Sequence, residues 1–347
     1  MIKNDKKKII FDIKKPPLII AEISANHGGS KPLFLKSIEV AAKSGADLIK
    51  IQTYDEEDMV VHKNFKIPSG LWKNKNLYNL YKKAKTPYSW HADAFKLANK
   101  KKITLFSTPF SEKAVDFLEQ FNPPLYKIAS FEITDLNLIN KIAKTQKPII
   151  ISTGLSDISE VKSAIKVIKK YHNKIVILHC VSGYPTPTDE INLGRINYLK
   201  NKLSTNLIGL SDHTDGIEAA SLASVLGIVA IEKHFILNKK IKSPDSKFSI
   251  TPDELKQLKT NIENNYKMLG SNKNTKQNAE IPSLIFRRSV FAIANIKKNE
   301  IFTKKNTQCF RPRVGLPAEK YLSLLGKKSK RNISKNSVLK SSFISKG

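Results

Sequence analysis

Only two cysteines and two tryptophans occur in 347 residues, acidic side chains are outnumbered two to one by basic ones, and no apolar stretch approaches membrane-spanning length. Cys180 and Cys309 stand far apart and form no CxxC pair, which excludes a CxxC metal centre and argues for a reduced, intracellular chain over a disulfide scaffold. The opening MIKNDKKKIIFDIKKPPLIIAE is basic but carries no continuous apolar stretch long enough for export. A cytoplasmic protein with no membrane partner is therefore expected.

The shortage of acid leaves 60 Lys plus Arg against 30 Asp plus Glu, a formal charge of +30. Such an excess has three readings: nucleic-acid binding, attraction of an anionic small molecule, or a general lysine bias. The lysines are scattered through KNKNLYNLYKKAK, KVIKKYHNK and KKSKRNISK and form no single basic arm. No recognition module or aromatic-basic repeat accompanies them, so no nucleic-acid partner is expected.

What is present is a regular alternation. Short, continuously apolar runs at 18–24, 47–54, 103–110, 125–130, 148–154, 175–180, 207–213 and 229–235 are separated by segments whose apolar residues recur every three or four positions. Eight is the number of strands that closes a parallel barrel without an exposed edge, so the expected fold class is α/β, a (β/α)8 TIM barrel. The interval from Tyr54 to Ile103 is long for a barrel crossover, and its stretch from Phe65 to Tyr78 reads as an inserted active-site loop or a partner arm. A last helix begins near Pro252 and runs to about Leu269, and the polar SNKNTKQNAE follows it. The expected division is a barrel over 1–270, a linker over 271–285 and a small compact domain over 286–347.

Parallel barrels present their chemistry where strands exit into loops. That alignment gathers Glu22, Lys50, Gln52, Thr108, Lys127, Ser130, Glu132, Ser152, Ser182, Ser211, His213 and His234 at one rim. Two lysines at the ends of different barrel strands call for an anionic partner, which they would meet as charged donors. The serines offer hydroxyl or nearby backbone donors, or serve only as loop caps. Glu22, followed by Asn26 and His27, can bind substrate hydroxyls; helix capping through Asn26 or Ser30 is the alternative there. Tyr184, in CVSGYP after the sixth strand, can close one side of the pocket. His213 and His234 suit a divalent ion held by two imidazoles with positions left open for water and a sugar carbonyl. Mn2+ fits such a set, and Mg2+ or Co2+ remain alternatives.

IIAEISANHGGS, KIQTY, STPF, YKIASFEITD, ISTG, GLSDHT, IEKHF and PDSKFSI together resemble the N-acylneuraminate synthase family, and RPRVGLPAEKYLSLLG resembles the antifreeze-like, or SAF, domain attached to those enzymes. YKIASFEITD and the insertion GLWKNKNLYNLYKKAKTPYSWH look most like the pseudaminate-forming branch, with sialate or legionaminate formation as the alternative. The resemblance implies a carbon-carbon bond-forming transferase that joins phosphoenolpyruvate to a diacetamido trideoxyhexose, and by extension a role in modified surface glycans or flagellin. It implies proton transfer at Glu132, acceptor contacts at Glu22 and Asp245, and a homodimer in which the SAF domain lies over the neighbouring barrel and brings Arg311 to the acyl group of the sugar. Arg313 stands close enough to compete for that role, and Ser182 departs from the asparagine frequent in the sialate branch. Outside the family the competing classes are a class II aldolase, another phosphoenolpyruvate-dependent sugar-acid synthase and a nonenzymatic carbohydrate-binding protein.

Overall fold

The computed structural model describes residues 2–4, 9–205, 207–271 and 275–345. Its chain divides into two compact units, Met1–Gly270 and Ser271–Gly347. No helix among the described residues is long and apolar enough to cross a membrane.

The first unit is a closed barrel of eight parallel strands: β3 (Leu18–Glu22), β4 (Leu48–Thr53), β5 (Thr104–Pro109), β6 (Tyr126–Ile128), β7 (Ile149–Ser152), β8 (Ile175–Cys180), β9 (Ile208–Asp212) and β10 (Ala230–His234). Each falls inside one of the eight apolar runs, and β10 returns to pair with β3. Ahead of the barrel an antiparallel hairpin, β1 (Ile2–Asn4) with β2 (Ile9–Phe11), is a feature the lysine-interrupted sequence did not suggest. Its Phe11 packs with the apolar residues inside the barrel.

Side chains alternate across each strand, and the two sets have different neighbours. Ile19, Ala21, Ile49, Ile51, Leu105, Ile149, Ile151, Ile208, Leu210 and Ile231 pack outward against the helices. Ile20, Leu48, Phe106, Leu125, Ile150, Val176, Leu178 and Ala230 fill the interior with Phe11. Continuing the inward parity toward the carboxyl ends of the strands leads from this apolar plug to Glu22, Lys50, Thr108, Lys127, Ser152, Ser211, Glu232 and His234. The plug thus forms the floor of the site.

The outer helices start where the chain supplies caps. Ser30 accepts from the Leu33 N–H ahead of Lys31–Lys43, while Asp157 with Glu160 and Thr251 with Glu254 form capping boxes ahead of Ile158–Lys169 and Pro252–Leu269. Between β4 and β5 the long insertion holds a short helix, Leu77–Ala84, and a loop tied across its base by Ile67 N–H to Lys75 O (3.0 Å) and Leu77 N–H to Phe65 O (3.0 Å).

The second unit pairs β11 (Ser289–Ala292) with β12 (Thr307–Phe310) antiparallel and has its own core of Val290, Ile296, Phe302, Leu316, Leu324, Ile333 and Leu339. Of the segment read as a linker, residues 272–274 lie outside the described residues; Asn278–Glu280 and Pro282–Phe286 are short 3-10 turns.

Candidate active site

Neighbouring strands bring Glu22 beside Lys50 and His234, and Ser211 beside Glu232, in register. At their centre stands Glu232, a carboxylate that the reading of the sequence passed over. It accepts from Lys50 Nζ at 2.7 Å and from Lys127 Nζ at 2.9 and 3.0 Å, with the Ser211 hydroxyl donating at 3.3 Å. Lys50 also pairs with Glu22 at 2.8 Å, and Glu22 accepts the Ser24 N–H at 2.7 Å. All of these side chains are buried.

An ammonium carries three donors. Among the described residues each lysine makes two contacts shorter than 3.1 Å to carboxylate oxygens, leaving a donor for an anion. Burial lowers Lys50 and the neighbouring Lys127 charge adds to that, while Glu232 opposes both. Burial would raise Glu232, but the two ammonium groups hold it well below the usual carboxylate range. Two cations sharing one carboxylate in a dry site form an anion receptor set in place before any ligand arrives.

Several polar atoms around this cluster are buried without a hydrogen-bond partner among the described residues: Thr108 Oγ1, Ser152 Oγ, Glu132 Oε2 and His234 Nδ1. Such atoms are costly unless something else satisfies them, and their convergence on one rim marks a place built for a ligand. Gln52 pairs in register with Thr108 on the adjacent strand. Ser130 accepts the Gly154 N–H at 3.0 Å, and a Cβ at Gly154 would collide with the hydroxyls of Ser130 and Ser182, so only glycine lets these two serines converge there.

Glu132 ends the 3-10 turn Ser130–Glu132 directly after β6. Burial pushes its carboxyl up to about 7, with its own backbone N–H, Lys127 and Lys50 pulling the other way. A carboxyl titrating near neutrality suits proton transfer. The same shift has a stability consequence: protonated Glu132 favours the folded chain at low pH, and that contribution disappears as pH rises from about 4.5 to about 7. Glu132→Gln is expected to gain about 2 kcal/mol over the parent at pH 8 and nearly nothing at pH 4.5, read from denaturant titrations at both values. An equal difference at the two pH values would remove the buried-carboxyl account.

The two histidines stand with ring centroids 5.3 Å apart. His213 Nδ1 lies 3.1 Å from the Val181 carbonyl oxygen, and a proton donated there leaves the other ring nitrogen as a lone-pair ligand. Burial above all keeps His234 neutral, the state a ligand needs. Its unpartnered Nδ1 is 3.6 Å from Asp245 Oδ2, too far for a hydrogen bond, and Asp245 accepts the Ala25 N–H at 3.4 Å. Among the described residues no group of three His, Cys, Asp or Glu side chains is arranged to hold a metal. Two imidazoles with a free nitrogen and an orphaned one nevertheless fit an ion that keeps open positions for substrate.

Aromatic rings wall this side. Tyr184 lies 4.4 Å from His213 and 5.3 Å from Phe248, and Phe248 is 4.8 Å from His234. Behind them Lys233 pairs with Asp212 at 2.8 Å on the outward face of the same strands, and Asp212 also accepts from Thr214, so the ends of β9 and β10 are locked together.

His27 is not part of this mouth. It is fully buried against Phe34 and Trp90, Asn26 donates to Phe235 O and Ser249 Oγ, and Ser30 caps the following helix, which makes this segment structural. A cavity of about 1010 Å³ opens nearby, lined by Gly28, Lys75, Lys82, Lys83, Trp90 and Lys242 among others, but it includes neither the Glu232 cluster nor the histidines. In the second unit Arg313 is committed to Glu319 at 3.1 Å, whereas Arg311 is exposed and has no carboxylate partner among the described residues.

Comparison with known proteins places this arrangement. Residues 37–274 match the NeuB family model and residues 287–344 the SAF domain. A pseudaminic acid synthase from Campylobacter jejuni is 42% identical over 336 residues, covering 96% of this chain and 98% of that protein. One from Helicobacter pylori is 41% identical over 334 residues, covering 94% and 97%. Among solved structures, the N-acetylneuraminic acid (sialic acid) synthetase from Leptospira borgpetersenii in complex with citrate superposes with a TM-score of 0.71 at 33% identity, covering 78% of this chain and 91% of that one. The matched span contains the barrel strands that carry Lys50, Lys127, Glu232 and both histidines, and on that extent of agreement the chain belongs to the NeuB family.

Proposed function

We propose that this protein condenses phosphoenolpyruvate with the open-chain aldehyde of 2,4-diacetamido-2,4,6-trideoxy-L-altrose and with water, giving pseudaminate and inorganic phosphate. The observation that carries the reading is the Lys50–Glu232–Lys127 cluster, an anion receptor sharing one barrel mouth with two imidazoles. The similarity to pseudaminic acid synthases supports this branch.

In this reading Lys50 and Lys127 bind the phosphate and carboxylate oxygens of phosphoenolpyruvate, with Thr108, Ser130, Ser152, Ser182 and Ser211 supplying further donors and Gln52 lining the rim. C3 of phosphoenolpyruvate forms the new bond to the aldehyde carbon, whose carbonyl electron pair moves to oxygen and takes a proton. Water then bonds to C2 and loses a proton, and the C2–O bond to phosphate breaks as the ketone forms. Glu132, titrating near neutrality, handles the proton of water, and Glu22 and Asp245 orient the acceptor beside Tyr184. His213 and His234 would hold the divalent ion, Mn2+ by preference, which when bound withdraws charge from the reacting carbonyl.

The test is a product assay with phosphoenolpyruvate and three acceptors: the altrose derivative, N-acetylmannosamine and the legionaminate precursor. Phosphate release with a product three carbons longer is expected for the first at a rate about tenfold or more above the others. Equal turnover of all three would remove the branch assignment, and condensation of pyruvate itself with the sugar, with no phosphate released, would make the enzyme an aldolase.

The SAF unit completes the reading as part of a homodimer, with exposed Arg311 reaching the sugar in the neighbouring barrel. Truncation after Leu269 is expected to raise KM for the sugar about tenfold or more while phosphoenolpyruvate binding, followed by calorimetry, changes by less than about threefold. Unaltered sugar KM in the truncated chain would count against that division of labour.

A further inference from the structure

The insertion between β4 and β5 delivers an indole to the site. Trp72, at the far end of the loop tied at its base by Phe65, Ile67, Lys75 and Leu77, donates its indole N–H to the Pro244 carbonyl at 3.3 Å, one residue before Asp245. Its ring lies 5.5 Å from Tyr184, which in turn lies against His213. Trp72 is only half-buried, so it leaves part of its surface uncovered, and the loop around it is no hydrophobic core: Val61 and Phe65 stand in solvent. The Asn74 N–H donated to Ile67 O at 2.8 Å, with Asn74 and Gly70 at positive φ, turns the chain so that the indole is presented inward.

We infer that Trp72 is a specificity-determining residue for the acceptor, forming with Tyr184 an apolar wall for the end of the sugar remote from its aldehyde. The inference rests on the function proposed above. The aldehyde carbon must lie near the histidines and within bonding reach of phosphoenolpyruvate at the lysines. The rest of a six-carbon acceptor then extends along the aromatic row, where Trp72 stands one ring further from His213 than Tyr184 does. An indole face there favours a terminal methyl group, whereas a hydroxymethyl group at that point would lose water without gaining a partner. The row thus reads whether the acceptor is a 6-deoxy sugar, a distinction that the polar cluster at the strand ends has no means to make.

The experiment uses the full-length, metal-loaded enzyme and acceptor pairs that differ only at C6, deoxy against hydroxy. One pair is built on the diacetamido altrose and one on N-acetylmannosamine, each taken as kcat/KM with KM for phosphoenolpyruvate measured alongside. The parent is expected to prefer the 6-deoxy member by about 10- to 100-fold, the scale for one apolar group in a fitted pocket. Trp72→Ala is expected to bring that ratio to within about threefold, with KM for phosphoenolpyruvate moving less than about twofold, and Trp72→Phe to retain most of the preference. Equal losses for both members of a pair, or a ratio unchanged by Trp72→Ala, would overturn the inference and leave Trp72 as loop packing. If only N-acetylmannosamine and its 6-deoxy form react, the branch assignment fails while that pair still reads the effect of Trp72.

Discussion

Replacing Lys127 by methionine is expected to lower kcat/KM for phosphoenolpyruvate by about three orders of magnitude, close to 4 kcal/mol at about 1.4 kcal/mol per factor of ten. Two effects add. The charged donor to the anion is lost, and Glu232, still held by Lys50 and Ser211, directs excess negative charge toward the place where the anion must sit. The fold suffers as well, because breaking a buried pair costs about 3–5 kcal/mol. A second substitution separates the two losses: in Lys127→Met with Glu232→Gln the uncompensated charge is gone, so thermal stability is expected to recover most of its deficit while phosphoenolpyruvate turnover stays low. Recovery of turnover in the double variant would show that Lys127 acts only by neutralising Glu232.

Removing the divalent ion is expected to have an effect of similar size. Treatment with a chelator is expected to lower kcat by about a thousandfold, and Mn2+ to restore it, with Mg2+ and Co2+ restoring less. His234→Ala is expected to reach the same low rate and not to respond to added metal, since one imidazole of the His213–His234 pair is missing. Full activity after exhaustive chelation would dissociate the two histidines from metal binding. The parent's thermal midpoint offers an independent readout: metal that binds the folded chain raises it, and in His234→Ala the rise is expected to vanish.

The barrel could be read from the sequence because a parallel strand buried on both faces needs an almost unbroken apolar run, and eight such runs stand out from helical segments between them. Each observed strand lies within its run, the ends differing by no more than two residues where backbone pairing stops before the apolar pattern does. The rim residues were legible for a related reason: a polar side chain that ends an apolar run on the inward parity of its strand points to the mouth. Glu232 was hidden because it lies inside a run, between Ile231 and Lys233, and charge within a strand attracts attention to both neighbours equally. Parity would have separated them. Glu232 is two residues before His234 and shares its inward face, whereas Lys233 points outward to Asp212.

Other features depended on contacts that no local pattern encodes. Trp72 lies in a segment readable as an inserted active-site loop or a partner arm without any residue singled out, and its reach to Pro244 and Tyr184 follows from the tertiary course of that loop. His27 carried an ambiguity between chemistry and packing that Phe34 and Trp90 resolve toward packing. The hairpin of β1 and β2 escaped notice because lysines interrupt its apolar residues, although Phe11 seals the interior from beneath.

The alternation along β10 limits how this enzyme can diversify. Glu232 and His234 face the barrel mouth while the intervening Lys233 is fully enclosed on the opposite side with Asp212. Gain or loss of a single codon upstream within that strand would exchange the faces, burying an acid and an imidazole among the helices and thrusting an unpaired ammonium into the reaction chamber. Descendants with new acceptor preferences are therefore accessible through changes of loop length above the rim, such as the stretch that supplies Trp72, whereas the strand beneath tolerates replacement of residues but not a change in their number.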